Sequence, residues 1–178
     1  MSFKDAKCLI AYFSRKGDNY VNGRIESLTI GNTEVVAEMI KGITKGKIFP
    51  IQTIYSYPDD YSKATEVAQQ ELRANARPKL TGHVEDIDSY KVIFLGYPNW
   101  WGTMPMPIFT FLEEYDFTGK TLAPFCTHEG SGLGRSVKDI TRLCPKATIL
   151  PGLAIRGGNV KIAQNEISKW LREIGMIE

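Results

Sequence analysis

Short runs of apolar residues alternate along the chain with longer segments in which apolar residues recur every three or four positions. Five runs have the length and continuity of strands buried on both faces: residues 8–13, 47–52, 92–96, 121–126 and 148–155. Five segments have the spacing of amphipathic helices: residues 33–44, 61–75, 108–115, 133–143 and 159–174. Strands that alternate with crossover helices predict an α/β fold with a parallel sheet.

Few strand orders suit five parallel strands with helices on both faces, because the crossover connections are right-handed. The doubly wound order 2-1-3-4-5 fits best, since it makes the first and third strands neighbours at a topological switch point. The loops after strands one, three and four then meet at one edge of the sheet. With no internal repeat or linker, residues 1–178 are predicted to form a single domain with its ligand site at that edge.

The segment after the first strand is typical of an anion site. Three residues follow the strand and three open the next helix: Ser14, Arg15 and Lys16, then Gly31, Asn32 and Thr33. The free N–H groups and positive dipole of a helix N-terminus favour a phosphate, and small hydroxyl residues allow its close approach. The basic side chains either offset phosphate charge or, for Lys16 in particular, lie at a solvated strand end. Residues 17–30 separate the two halves and are interpreted as an insertion.

Two further loops are predicted to reach the same edge. The loop after the third strand contains Pro98, Asn99, Trp100, Trp101 and Gly102. Tryptophans in such a loop either cover the core or stack on a planar ligand, and the neighbouring anion turn favours the ligand.

The loop after the fourth strand contains Thr127, His128, Glu129 and Gly130. Its polar side chains can contact a ligand edge, and its glycine allows the backbone to approach closely. For His128, contact with a ligand and a structural hydrogen bond both remain open.

Three other motifs are incomplete. Arg135 stands where the dinucleotide fingerprint G-x-G-x-x-G requires its last glycine, and Glu114 stands where a Walker loop requires its first. Ser131 lacks the G-x-S-x-G elbow of a hydrolase nucleophile. The sequence therefore assigns no catalytic residue.

Composition excludes several classes of protein. A net charge of +2, with basic residues scattered along the chain, gives no nucleic-acid-binding stripe. Three separated cysteines form no disulfide framework, and two histidines make no metal site. No apolar stretch is long enough to span a membrane, and the N-terminus does not resemble a secretory signal, so a cytoplasmic location is expected.

The split anion turn, the tryptophan loop and the order of strands and helices together resemble the flavodoxin-like family over nearly the whole chain. The resemblance implies a flavin mononucleotide (FMN) cofactor, with its phosphate at the first turn and its ring between the two later loops, where Trp100 is expected to stack. It assigns the following residues to FMN: Ser14, Arg15, Lys16, Asn19, Gly31, Asn32, Thr33, Pro98, Asn99, Trp100, Trp101, Gly102, Thr127, His128, Glu129 and Gly130.

Family resemblance leaves three functions open. The first is an electron carrier that serves a redox partner protein or a small-molecule acceptor, although flavodoxins are typically acidic and this chain is nearly neutral. The second is an FMN-dependent NAD(P)H quinone or nitro reductase, in which Tyr20, Asn22 and Arg24 of the insertion would form a wall of the substrate pocket. The third is a regulatory or assembly protein without flavin.

Overall fold

A computed structural model describes residues 2–178. Its strands are β1 (Cys8–Tyr12), β2 (Gly17–Val21), β3 (Arg24–Leu28), β4 (Lys47–Pro50), β5 (Val92–Pro98), β6 (Thr121–His128), β7 (Thr148–Ile149) and β8 (Leu153–Arg156). Its α-helices are α1 (Asn32–Thr44), α2 (Tyr61–Arg73), α3 (Met106–Glu114), α4 (Ser136–Leu143) and α5 (Gln164–Glu173). Two 3-10 helices span Ile87–Ser89 and Gly157–Ile162.

The central sheet confirms the predicted fold. Its strands run parallel in the order β4-β1-β5-β6-β7, which is the order 2-1-3-4-5 of a flavodoxin-like sheet. Successive residues of β1 alternate between two cores, with Ile10 and Tyr12 on one face and Leu9 and Ala11 on the other. Helices α1 and α5 cover the first face, and α2, α3 and α4 cover the second.

The fifth strand is interrupted, so the prediction of one strand over 148–155 was wrong. Both of its pieces pair with β6, and the register shifts by one residue between them. The carbonyls of Lys120 and Leu122 accept hydrogen bonds from the fifth strand. Main-chain groups that face the fifth strand recur at every second residue of β6, so residue 124 faces it as well. Residue 124 is a proline, which has no N–H to donate. Pairing with β6 stops at this missing donor.

Two helices begin later than predicted. Helix α4 starts at Ser136 rather than at 133, because Gly132 and Gly134 have φ angles of 58° and 53° that no α-helix accommodates. Helix α5 starts at Gln164 rather than at 159 because a 3-10 helix precedes it. With three residues per turn in that segment, Ile162 leaves the apolar stripe that an α-helix over 159–174 would bury, and its side chain is 79% exposed.

The insertion is an ordered antiparallel hairpin made of β2 and β3. Val21 pairs with Arg24, and the two residues between them, Asn22 and Gly23, have φ angles of 51° and 85°. These values suit a two-residue turn whose twist matches the strands, for which Asn-Gly is the favoured pair. The dipeptide was therefore a readable hairpin signal that the interpretation as a plain insertion missed.

Candidate functional site

A cleft of about 390 Å³ opens where the carboxyl ends of β1, β5 and β6 meet. Most of the residues that the sequence assigned to a ligand line it: Ser14, Arg15, Asn19, Asn32, Thr33, Pro98, Asn99, Trp100, Trp101, Thr127, His128 and Glu129. Four assigned residues do not line it: Lys16, Gly31, Gly102 and Gly130. The lining also includes Tyr20 of the hairpin and six unassigned residues: Tyr61, Ala64, Thr65, Ala68, Ser131 and Gly157.

The N-terminus of α1 forms one end of the cleft. Gly31 is the N-cap, and a Cβ atom there would lie 2.2 Å from Ser14 Oγ and 2.8 Å from the carbonyl oxygen of Arg15. Ser14 Oγ accepts a hydrogen bond of 3.1 Å from the amide of Glu34, which leaves its own hydrogen available to donate. The amides of Asn32 and Thr33, in the first turn, have no partner within the helix. The two halves of the predicted anion turn therefore converge.

A pair of buried hydroxyl groups joins this end of the cleft to the fourth-strand loop. Thr33 Oγ1 and Thr127 Oγ1 lie 2.8 Å apart, and both residues are at least 95% buried. The bond holds the first turn of α1 beside the end of β6.

Arg15 supports the base of the hairpin. Its guanidinium donates to the carbonyl oxygens of Asp18 and Pro58, the latter at 2.9 Å, and burial lowers its pKa. The amide of Asp18 donates to the carbonyl of Asp59 at 2.9 Å. The Lys16 side chain is exposed outside the cleft. Arg15 therefore fixes the hairpin against the loop before α2.

The hairpin tip is attached to the opposite side of the cleft. The amide of Asn22 donates to Glu129 Oε2 at 3.0 Å, a contact between residues 107 positions apart. Gly158 makes room for the tip, since a Cβ there would lie 2.2 Å from the Asn22 side chain. Glu129 Oε1 is buried without a hydrogen-bond partner. Because an unpaired buried acceptor is costly, this oxygen is suited to a donor group of a ligand.

Trp101 and Gly102 occupy the corner of a tight turn after β5. Their φ angles are 53° and 84°, and Trp100 and Thr103 exchange hydrogen bonds of 2.9 and 3.2 Å across it. The side chain of Asn99 accepts from the Gly102 amide and donates to the carbonyl of the fourth-strand loop at Gly132. Asn99 therefore ties the two predicted ligand loops together.

Trp100 belongs to a three-ring aromatic cluster. Its ring centroid lies 5.2 Å from that of Phe13 and 5.1 Å from that of Tyr57, both in edge-to-face geometry. The Tyr57 hydroxyl donates to Glu71 Oε2 at 2.6 Å, and burial raises the pKa of the Glu71 carboxyl. Trp100 thus packs against the core and lines the cleft at the same time.

Helix α2 forms a wall of the cleft that the sequence interpretation missed. Tyr61, Ala64, Thr65 and Ala68 follow the i, i+3, i+4, i+7 spacing of one helix face, and all four line the cleft. Trp101 Nε1 donates to the Thr65 carbonyl at 3.0 Å and so anchors the third-strand loop to this wall. The spacing was visible in the sequence, but a core-facing stripe has the same spacing.

His128 is held as a hydrogen-bond acceptor. Its Nδ1 accepts from the Gly130 amide at 2.9 Å, which requires Nδ1 without a proton. Burial lowers the pKa of His128 below its ordinary value, and the charge of Arg156 lowers it further, while Glu129 and Glu166 oppose the shift. The imidazole is therefore neutral at neutral pH.

The depressed pKa of His128 predicts a pH-dependent loss of stability. Protonation costs more in the folded chain than in the unfolded one, so stability falls as pH decreases from 6.5 through the folded pKa, with no contribution above that range. We expect the free energy of unfolding to drop more between about pH 7.5 and about pH 5 for the wild type than for His128→Asn. The asparagine side chain can accept a hydrogen bond from the same Gly130 amide, but it has no proton to gain or lose in this pH range. Equal pH dependences would contradict this prediction.

Among residues 2–178, no helix is long and apolar enough to cross a membrane. Within the same residues, no three His, Cys, Asp or Glu side chains are grouped so that they could hold a metal ion.

A comparison with known protein families shows which family the chain belongs to. A family model described as Flavodoxin matches residues 7–174. The chain belongs to the flavodoxin family. A search of curated proteins yields no match.

Solved structures share the flavodoxin fold of this chain. A Bacteroides eggerthii protein assigned as a flavoprotein is 28% identical, with a TM-score of 0.77, over 96% of this chain and 98% of that chain. A Lactobacillus acidophilus flavoprotein in complex with FMN is 22% identical, with a TM-score of 0.66, over 93% and 98%. A Fusobacterium nucleatum flavodoxin bound to FMN is 16% identical, with a TM-score of 0.54, over 95% and 96%.

Proposed function

We propose that this flavodoxin-family protein binds FMN in the cleft and transfers electrons through it. The observation that carries the proposal is the N-terminus of α1, where the lack of a side chain at Gly31 lets the Ser14 loop pack directly against the helix, and where Ser14, Asn32 and Thr33 line the cleft. A phosphate suits this position because the amides and the helix dipole favour an anion. The flavoproteins with FMN that share the fold support the choice of cofactor.

The remaining contacts suit the rest of FMN. Ser14 would donate its hydroxyl hydrogen to the phosphate, and the unpaired Glu129 Oε1 would accept a hydrogen bond from a ligand hydroxyl. Trp100 and Trp101 offer aromatic surface to the flavin ring. When bound, FMN supplies one- and two-electron redox chemistry, while the protein holds it and limits its exposure to water.

Reconstitution tests this proposal directly. Purified protein incubated with excess FMN and then desalted should retain one flavin per chain, visible as the flavin absorption band, and dithionite should bleach that band. Riboflavin, which lacks the phosphate, should bind much more weakly. A colourless protein after reconstitution would exclude both FMN-dependent functions and favour the regulatory alternative.

The FMN-dependent NAD(P)H quinone or nitro reductase is the second candidate. The hairpin favours it, because Tyr20 lines the cleft while the tip is bonded to Glu129, which encloses the site. A small molecule can enter such a cleft more readily than the surface of a partner protein can. Steady-state oxidation of NADH or NADPH in the presence of a quinone would distinguish this reductase from a carrier, which should show no turnover.

A further inference from the structure

We infer that the hairpin of β2 and β3 is a strap across the cleft, and that its tip must leave Glu129 and Gly158 before FMN can enter or leave. The contacts of Asn22, at the tip, with these two residues are called the latch below. The inference rests on the proposed function, because it concerns the passage of FMN into the same cleft. It goes beyond that function by assigning what controls the rates of cofactor uptake and release.

The strap crosses the cleft from one side to the other. Its base lies beside Arg15, after β1, and its tip lies beside Glu129 and Gly158, which follow β6 and β8. Asn19 and Tyr20, between the base and the tip, line the cleft. A segment that is attached on both sides of a cleft and lines it in between covers part of its opening.

The base of the strap is fastened more firmly than the tip. At the base, the Arg15 guanidinium donates to the carbonyls of Asp18 and Pro58, and the Asp18 amide donates to the carbonyl of Asp59. Among residues 2–178, a single hydrogen bond joins the tip to the rest of the chain, from the Asn22 amide to Glu129 Oε2. Opening therefore begins at the tip, where the fewest bonds break.

The latch has a shaped seat. A Cβ at Gly158 would lie 2.2 Å from both Nδ2 and Oδ1 of Asn22, so the absence of a side chain at Gly158 is what admits the tip. Val21, next to Asn22, is buried when the strap is closed. Closure therefore removes an apolar side chain from water and pairs the Asn22 amide, which favours one defined closed position.

The latch lies beside the end of the cleft at which the phosphate is proposed to bind. A Cβ at Gly157 would lie 2.4 Å from Glu129 Oε1 and 2.6 Å from Asn32 Nδ2, so the latch carboxylate is next to the first residue of α1. Glu129 Oε2 holds the tip, while Oε1 is buried without a partner. A ligand hydroxyl bonded to Oε1 would fix the same carboxylate that holds the tip. Occupancy of the cleft and closure of the strap therefore favour each other.

A disulfide between the tip and its seat tests the strap. A Cβ at Gly158 would lie 2.5 Å from Cγ of Asn22, which is bonded to the Asn22 Cβ, so the two Cβ atoms are no more than about 4 Å apart, as in a disulfide. Diamide, which takes up two electrons and two protons, should therefore cross-link the double variant Asn22→Cys/Gly158→Cys. The loss of two free thiols measures the cross-link. The three native cysteines are buried and do not compete.

We expect the cross-linked protein to take up and release FMN at least about tenfold more slowly than the same double variant after reduction with dithiothreitol. Both rates should fall together, so the dissociation constant should change much less than either rate. Stopped-flow fluorescence measures uptake, and exchange of bound FMN for radiolabelled FMN measures release. The control is Asn22→Cys alone, which has no second thiol at the seat and should respond to neither reagent.

Gly158→Leu should have the opposite effect on release. The leucine side chain would fill the seat of Asn22 and hold the tip away from Glu129, so FMN release should be about tenfold faster. Gly82→Leu is the matched control, because a Cβ at Gly82 meets no atom within 4 Å. It should release FMN at the wild-type rate.

Three results would overturn the inference in distinguishable ways. If the two introduced thiols stay free in diamide, the tip does not rest on Gly158 and there is no latch. If the cross-linked protein exchanges FMN as fast as the reduced protein, the cleft is open while the strap is closed. If the wild type binds no FMN, the proposed function and the control of FMN passage both fail, while cross-linking still reports the latch in the protein alone.

Discussion

Gly31→Ala is expected to weaken FMN binding by about 100-fold, which corresponds to about 3 kcal/mol. The new methyl group would lie 2.2 Å from Ser14 Oγ and 2.8 Å from the Arg15 carbonyl oxygen, so the helix and the loop must move apart. That movement separates the first-turn amides from the hydroxyl that together would hold the phosphate. Titration of the protein with FMN, followed by flavin fluorescence, measures the loss of affinity.

Gly42→Ala is the matched control because it changes a glycine in the same helix. A Cβ at Gly42 meets no atom within 4 Å, so FMN affinity should stay unchanged and the helix should gain up to about 1 kcal/mol. Riboflavin supplies a second control, since its binding involves no phosphate and should respond little to Gly31→Ala. Wild-type FMN affinity in a correctly folded Gly31→Ala protein would show that the phosphate does not lie at this turn.

Trp100→Ala is expected to lower the free energy of unfolding by about 3 kcal/mol. This value is near the lower end of the usual cost of removing a packed aromatic ring, because Trp100 is only partly buried. The substitution removes the edge-to-face contacts with Phe13 and Tyr57. If the flavin ring stacks on Trp100, the FMN dissociation constant should also rise, by about 1 to 3 kcal/mol in binding free energy. Urea unfolding and FMN titration of the same sample measure the two effects.

Trp101→Ala and Trp100→Phe separate packing from cofactor contact. Trp101→Ala removes one hydrogen bond from an exposed ring, so its stability cost should be near 1 kcal/mol. Trp100→Phe keeps an aromatic ring in the cluster and should recover much of the stability. A Trp100→Ala protein that is destabilised but binds FMN as the wild type would mean that Trp100 only covers the core.

Local sequence patterns were sufficient for the fold and for part of the cleft. Continuous apolar runs such as residues 92–96 predict strands buried on both faces, and the right-handed crossover rule restricts their order. Ser14 and Gly31 could be paired across the insertion because a small hydroxyl residue and a helix N-terminus are both elements of an anion site. These features depend on near neighbours or on a general rule of chain geometry.

Tertiary structure decided which residues enclose the cleft. The bond between Asn22 and Glu129 joins residues 107 positions apart, and the periodicity of α2 does not distinguish a cleft wall from a core stripe. The break opposite Pro124 likewise depends on which neighbouring strand the missing N–H faces. Each outcome depends on which distant main-chain group or side chain packs opposite a residue, and that partner exists only after the sheet has assembled.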